Sequence, residues 1–399
     1  MTVARTYTGS NECLDIYSKN AFCIELLALD VPDQTLNRLY EGLYWATWIF
    51  PVFKHELISP LGLHDYLGIV LWEQDISDIQ LLAQDMCLFR YDLGVYRDQD
   101  CEQQSLDRLE RMGRGVAAAA SSALPVHSTA SLILASKLMW ERYAEEDPET
   151  HHSDFRKILS HEYFHSYQGA HRLTAREARF GQEEEIDSPP VWFIEGTAEY
   201  AANIVAAKAG WIDWEYALLM RMKKIKQALR EDPELSIRQN VTKADQRAID
   251  PKHRHVATYE MGLWASAYAA TLSSNDAVLK SLWDDFEKYG WQEAFRRNVG
   301  TSPEQFYKEF DDFLVVTLGP DCCSDEDHDK TKLELDEGLH PWLSSFSHKL
   351  DGEEETVAEL KRAVAQQLTP NGVFCALHQI NGPRSKVYRP ISKENCVKP

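Results

Sequence analysis

The sequence predicts an α+β fold that is mostly helical: a small N-terminal mixed β-sheet with helices, then a helical lobe, plus a small C-terminal appendage. Three observations predict it. Short apolar, β-capable runs occur at 21–29, 66–72 and 129–135, all before the first strongly helical pattern. From about residue 153, apolar residues recur at three- and four-residue spacing over long stretches. Beyond Gly319-Pro320 the composition breaks into an acidic stretch, 321–329, that contains the paired Cys322 and Cys323. At 399 residues and 44% hydrophobic content, the chain is long enough for one large domain or two ordinary ones. The expected division is a domain over 1–320 and an acidic linker with a helix–hairpin appendage over 321–399.

Charge and cysteine usage narrow the function classes. Lys plus Arg total 42 against 63 Asp plus Glu, a net charge of −21. So acidic a surface repels phosphate backbones and anionic lipid, so nucleic acid and membrane surfaces are not expected partners. The longest apolar run, Tyr44 to Phe53, is interrupted by Pro51 and is too short to span a bilayer. Met1 to Asn20 shows no apolar core behind a basic start, so no signal peptide is expected. The eight cysteines are scattered without a Cys-x-x-Cys pair, a pattern that suits reduced thiols in a cytoplasmic protein.

In chain order, Ala21 to Leu29 reads as a strand ended by Asp30-Val31-Pro32. Asp33 can cap a helix from Gln34 to about Phe53, with Leu36, Leu39, Tyr40, Leu43, Tyr44 and Trp48 inward. Tyr66 to Trp72 is a second short strand. Gln103 to Arg114 has helical spacing, Gly115 to Leu124 is an uninformative alanine–serine stretch, and Thr129 to Ala135 is a third strand.

The chemistry-bearing stretch follows. His161-Glu162-Tyr163-Phe164-His165 lies in a predicted amphipathic helix over about 153–169, with Ser153 or Asp154 as N-cap and Gly169 as the stop. Two histidines four apart share a helix face, so both imidazoles can reach one metal ion. Glu162 projects beside that face, where it can take a proton from the attacking water without being a ligand. Pro189-Pro190 opens a second helix, to about 209, carrying Glu195 and Glu199 on an otherwise apolar surface. Buried carboxylates call for a cation or a hydrogen-bond network. A hydrolytic zinc site needs three protein ligands and an open position, and His-His-Glu is one such set. Glu195 fits as third ligand, and Glu199, one turn on, as the outer carboxylate that orients a ligand histidine. A chance motif on solvated helices is the alternative.

Between these helices, 171–188 is an insert containing Glu183-Glu184-Glu185, either a grip for a cationic group or a solvated loop. Trp214 to Arg230 is a long amphipathic helix with Lys223 to Lys226 as a basic patch. The polar segment to Ala257 reads as a loop, and further helices fill 275–318. A helix at about 353–367 and a hairpin pairing 372–378 with 386–391 across Asn381-Gly382-Pro383 complete the chain.

His161-Glu162-x-x-His165 followed by Glu195-Gly196-x-Ala198-Glu199-Tyr200 resembles the gluzincin (peptidase MA-like) zinc metallopeptidases, the clan of thermolysin and aminopeptidase N. The resemblance covers roughly residues 20 to 318. Tyr259-Glu260-Met261-Gly262 is similar to the segment that carries the oxyanion tyrosine in the aminopeptidase branch. Ala294 to Gly300 and Ser302 to Leu314 look like the closing helices of such domains. In that clan a strand like 129–135 would be the edge along which a peptide substrate lies, the alternative being an ordinary interior strand. The chain lacks a Gly-x-Met-Glu-Asn exopeptidase motif and an Asn before Glu195, and its gap between His165 and Glu195 is longer. The resemblance implies one Zn²⁺ per chain on His161, His165 and Glu195, with Glu162 as general base and Tyr259 as oxyanion donor. It implies a peptide or small amide substrate. Beside Tyr259, His255 could also donate to the oxyanion and Arg254 could bind a substrate carboxylate. Two other classes stay open: an Fe²⁺ enzyme on the same His-His-Glu set, and a non-catalytic binding module. The sequence fixes no oligomeric state.

Overall fold

The structure is a computed structural model. It describes residues 188–318 continuously, together with 22–28, 65–72, 100–113, 118–123, 130–136, 155–178, 346–350, 378–381, 386–389 and scattered helical positions within 38–50, 79–87 and 357–362. Two compact units are present, one of residues Met1–Leu173 with Thr356–Pro399, the other of Thr174–Glu355.

The expected fold class needs correction. Where side chains are described the chain is helical and holds no strand, so the small N-terminal mixed sheet is not supported, whereas the helical lobe fits. Six strands pair through their backbones, four of them from residues 22–136 and two from residues 378–389. β1 (Phe22–Ala28) runs parallel to β2 (Asp65–Trp72). After α1 (Cys101–Gly113), β3 (Ala118–Ala123) and β4 (Ala130–Ser136) pair antiparallel, and β4 runs parallel to β2. β5 (His378–Asn381) and β6 (Lys386–Arg389) come from the far end of the chain, and β6 pairs with β1. The six-strand order is β3-β4-β2-β1-β6-β5. β6 covers the backbone edge that β1 would otherwise leave open. The described parts of the expected hairpin are 378–381 and 386–389, which pair antiparallel; its turn and the rest of its first strand lie outside the described residues.

α2 (Phe155–Ala178), which belongs to the first unit as far as Leu173, carries the His-Glu-x-x-His residues. It runs through Gly169, because Ala170 to Ala178 continues in good helix formers. The expected N-cap, 153–154, lies outside the described residues. Over its described side chains α2 shows no solvent-facing stripe: Phe155, Leu159, Tyr163, Phe164 and Tyr167 are buried, and so are His161 and Glu162. The helical positions at 41–50 pack on it. Phe50 meets Phe164 edge-on at 5.0 Å, Tyr163 donates to the Phe50 carbonyl at 2.6 Å, and Arg156 pairs with Glu41 at 2.9 Å. Gly42 permits this approach, since a β-carbon there would lie 3.0 Å from Arg156 Cα. Cys87 and Cys101 form a disulfide, which corrects the expectation of reduced thiols for that pair.

The second unit holds α3 (Val191–Ala209), α4 (Trp214–Glu231), α5 (Lys243–Ala248), α6 (Pro251–His255), a π-turn at Val256–Glu260, α7 (Met261–Leu272), a second π-turn at Ala277–Ser281, α8 (Leu282–Tyr289), α9 (Trp291–Val299) and α10 (Pro303–Leu318). Residues 231–257, read as a loop, are mostly short helices. Thr242 and Asp245 form a capping box for α5, and Pro251 opens α6. α3 is buried nearly all round. Its first amides donate to the Val241 and Asn240 carbonyls at 2.9 and 3.0 Å, and Gly210, at φ 79°, ends it in the left-handed conformation. The core is aromatic: Phe193 lies 4.5 Å from Trp291, and Trp192 stacks on Phe306 at 5.8 Å.

Residues 346–350 dock on this unit. Trp214 Nε1 donates to the Phe346 carbonyl at 2.8 Å, and Asn275 Nδ2 donates to the Ser347 and Lys349 carbonyls, each at 2.7 Å. Among the described residues no helix is long and apolar enough to cross a membrane.

Candidate metal centre

Helical geometry alone brings His161 and His165 to one face of α2. Their Nε2 atoms lie 3.0 Å apart with the rings nearly perpendicular. His161, His165 and Glu195 each offer a ligand atom, and these atoms all fall within 4.8 Å of one another. A tetrahedral zinc with Zn–N of about 2.0–2.1 Å sets its ligand nitrogens roughly 3.3 Å apart, so the imidazole pair needs little adjustment. Two nitrogens and a carboxylate oxygen also match the borderline-soft character of zinc. The residues present fit the ion.

Gln168 orients the His165 ring. Its Nδ1 lies 2.8 Å from Gln168 Oε1, and with the amide so oriented Nδ1 is the donor and Nε2 keeps its lone pair for a metal. The sequence reading assigned histidine orientation to Glu199 and missed Gln168. The signal was present, because three residues on along a helix is the same face.

Glu162, the expected base, is buried on α2. Glu195 is largely buried, and Lys243 Nζ salt-bridges its carboxylate at 3.3 Å from an exposed position. Lys243 was also missed, coming from a segment read as loop.

Glu199 is placed against Arg221 on α4. The Arg221 guanidinium sends Nη2 to Glu199 Oε1 and Nη1 to Glu260 Oε2, and Lys224 and His255 reach the other Glu260 oxygen at 3.0 and 3.5 Å. Burial alone would push the Glu260 carboxyl up, but Arg221, the His255 hydrogen bond and Lys224 hold it well below the usual carboxylate range. Burial would likewise lower Arg221, yet Glu199 and Glu260 more than reverse this and raise it.

Tyr259 is half-buried on the π-turn, its ring 4.9 Å from the exposed His255 ring. Such turns recur at functional sites because they displace a side chain from the regular helical face. Arg254 sends Nη2 to the carbonyls of Arg247 and Ile249 at 2.9 and 3.1 Å, so its guanidinium ties down the end of α5. Glu183, Glu184 and Glu185 lie outside the described residues, as do Cys322, Cys323 and His328.

Gly196 and Gly262 set the register between the Glu195 helix and the Tyr259 turn. A β-carbon on Gly196 would lie 2.7 Å from Gly262 Cα, and one on Gly262 would lie 2.7 Å from the Trp192 carbonyl oxygen. The backbones of α3 and α7 therefore touch at these glycines, one residue beyond Glu195 and one turn beyond Tyr259.

Residues 154–278 match the sequence model of a peptidase family described as M61 glycyl aminopeptidase. No curated protein and no solved structure matches. The matched stretch spans α2, α3 and the Tyr259 turn, and it indicates a peptidase hydrolase. The family is of an aminopeptidase type, which the missing exopeptidase motif did not anticipate. The gluzincin resemblance holds over residues 154–278, a stretch that matches a zinc gluzincin-type metallopeptidase family.

Proposed function

We propose that this protein is a zinc metallopeptidase that hydrolyses peptide bonds by attack of water, with Glu162 as the general base. The observation that carries the reading is the convergence of His161, His165 and Glu195 within a stretch that matches a metallopeptidase family. A zinc ion on these three residues would polarise the scissile carbonyl and lower the pKa of water towards neutrality. Glu162 takes the proton of the attacking water and delivers it to the leaving amine, acting as base and then acid. Tyr259 donates a hydrogen bond to the oxygen on which negative charge develops. Gln168 holds the His165 ring, and Glu199 supports the Glu195 helix from one turn away. His255 and Arg254 stay as substrate-side candidates, with His255 favoured because Arg254 already serves two carbonyls.

The substrate class to test first is peptides with an N-terminal glycine, because the matching family is described by that activity. Small amides react by the same chemistry. Cytoplasmic residence belongs to the reading, although the Cys87–Cys101 bond weighs against it, since disulfides persist in oxidising compartments. The zinc-loaded chain should release the first residue from glycyl peptides, read as free amine, and a chelator should stop it. A chain with full zinc that cleaves no peptide in a panel of N-terminal and internal substrates would overturn the peptidase reading.

A further inference from the structure

We infer that Arg221 is a positioning residue for this reaction, its guanidinium joining the helix of Glu195 to the turn of Tyr259. The inference rests on the hydrolase reading above. Arg221 sits on α4, and its side chain is 6% exposed between Glu199, at 12%, and Glu260, at 1%. Each carboxylate receives a separate arm of the planar fork. Glu199 lies one helical turn beyond Glu195 on the same face of α3, and Glu260 follows Tyr259 directly. One cation therefore sets the rotation of α3 that aims Glu195 and the position of the turn that bears Tyr259.

Two further observations fit this role better than ion pairing alone. Lys224 and His255 also engage Glu260, so Arg221 is not its only charged partner. The Gly196–Gly262 contact fixes how closely α3 and α7 approach, and the Arg221 fork ties the same two elements a second time, at Glu199 and Glu260. Lysine cannot replace it, since an ammonium is a point charge that does not reach two carboxylates in fixed geometry.

The test is Arg221→Lys, compared with the parent by far-UV circular dichroism, zinc affinity in competition with a chromogenic chelator, and steady-state hydrolysis of a glycyl peptide at saturating zinc. The expected result is a folded variant whose zinc affinity falls about 10–100-fold. Its kcat falls about 10–100-fold, with KM within roughly twofold of the parent. A merely structural Arg221 would lower the melting temperature and leave zinc affinity and kcat at parental values, and that result overturns the inference. If Arg221→Lys does not fold, Glu260→Gln, which keeps shape and hydrogen bonding but loosens one arm, must show the same losses. Parental zinc affinity and kcat in Glu260→Gln would equally overturn it. The zinc comparison needs no substrate. A parent that binds zinc but hydrolyses nothing therefore counts against the peptidase reading alone, while the variant's zinc affinity still decides this inference.

Discussion

Gly196→Ala gives a prediction whose sign is itself informative. Alanine in a helix interior is favoured over glycine by about 1 kcal/mol, so propensity alone makes the variant more stable. The packing says the opposite. The new methyl would sit 2.7 Å from Gly262 Cα, and nearer still to the Gly262 carbonyl, against backbone that has no rotamer to escape into. Ordinary carbon contacts begin near 3.5 Å, so α3 and α7 must separate by about an ångström, which forfeits up to roughly half of each dispersion contact along the crossing. Overpacking a dense core typically costs about 1–3 kcal/mol, occasionally more, and here both partners are main chain. A net loss of at least about 2 kcal/mol is expected after the helical gain is subtracted. Urea unfolding followed by circular dichroism reads it as a lower midpoint at unchanged slope. Gly262→Ala faces a similar barrier at the Trp192 carbonyl, and the double variant should cost less than the sum, because helices parted once need not part again. A Gly196→Ala variant as stable as the parent, or more so, would refute the backbone contact.

Three other outcomes follow. Gln168→Leu removes the acceptor for His165 Nδ1 while keeping the fold, and should weaken zinc affinity about 10–100-fold in a chelator competition; unchanged affinity would free His165 from that partner. Phe346→Ala empties the space between Trp264 and Phe313 and should cost about 3–5 kcal/mol in urea unfolding, whereas a loss near zero would mean residues 346–350 do not belong to the core. The Glu260 carboxyl lies below its ordinary 4.5 in the folded state, so its ion pairs with Arg221 and Lys224 stabilise the fold fully above about that pH and lose this contribution as pH falls towards the folded value. Glu260→Gln should therefore be less stable than the parent at pH 7, with the gap narrowing below pH 4.5; a gap constant with pH would contradict the pairing.

What the sequence made legible was local. The i, i+4 spacing of His161 and His165, and of Glu195 and Glu199, is a statement about one helix at a time, and periodicity carries it. The third ligand followed from the chemistry of a hydrolytic zinc site rather than from any pattern linking the two helices. The short helices of 243–255 were also readable, since Thr242-x-x-Asp245 is a capping box and Asp250-Pro251 a helix opening. Polarity drew the eye to a loop instead. Arg221 was not legible: nothing in the repeat of α4 distinguishes an arginine that reaches two buried carboxylates from one in solvent. Nor was the sheet edge. β6 pairs with β1 across most of the chain length, and the Ala–Ser residues of β3 have low strand preference until a neighbouring strand supplies the context. Gly196 and Gly262 carry meaning only as a pair, and each alone reads as a weak spot in a helix.

The central claim is a zinc-activated hydrolysis in which Glu162 moves the proton, and Glu162→Gln tests it most directly when metal content and turnover are measured on one preparation. Glutamine keeps the shape and hydrogen bonding of the buried side chain but cannot accept a proton. The account predicts one zinc per chain in both parent and variant, equal circular dichroism, and a rate that falls by at least about 10²–10⁴-fold. A parent that takes up no zinc when it is supplied, or a Glu162→Gln variant that turns over at near the parental rate, would contradict it.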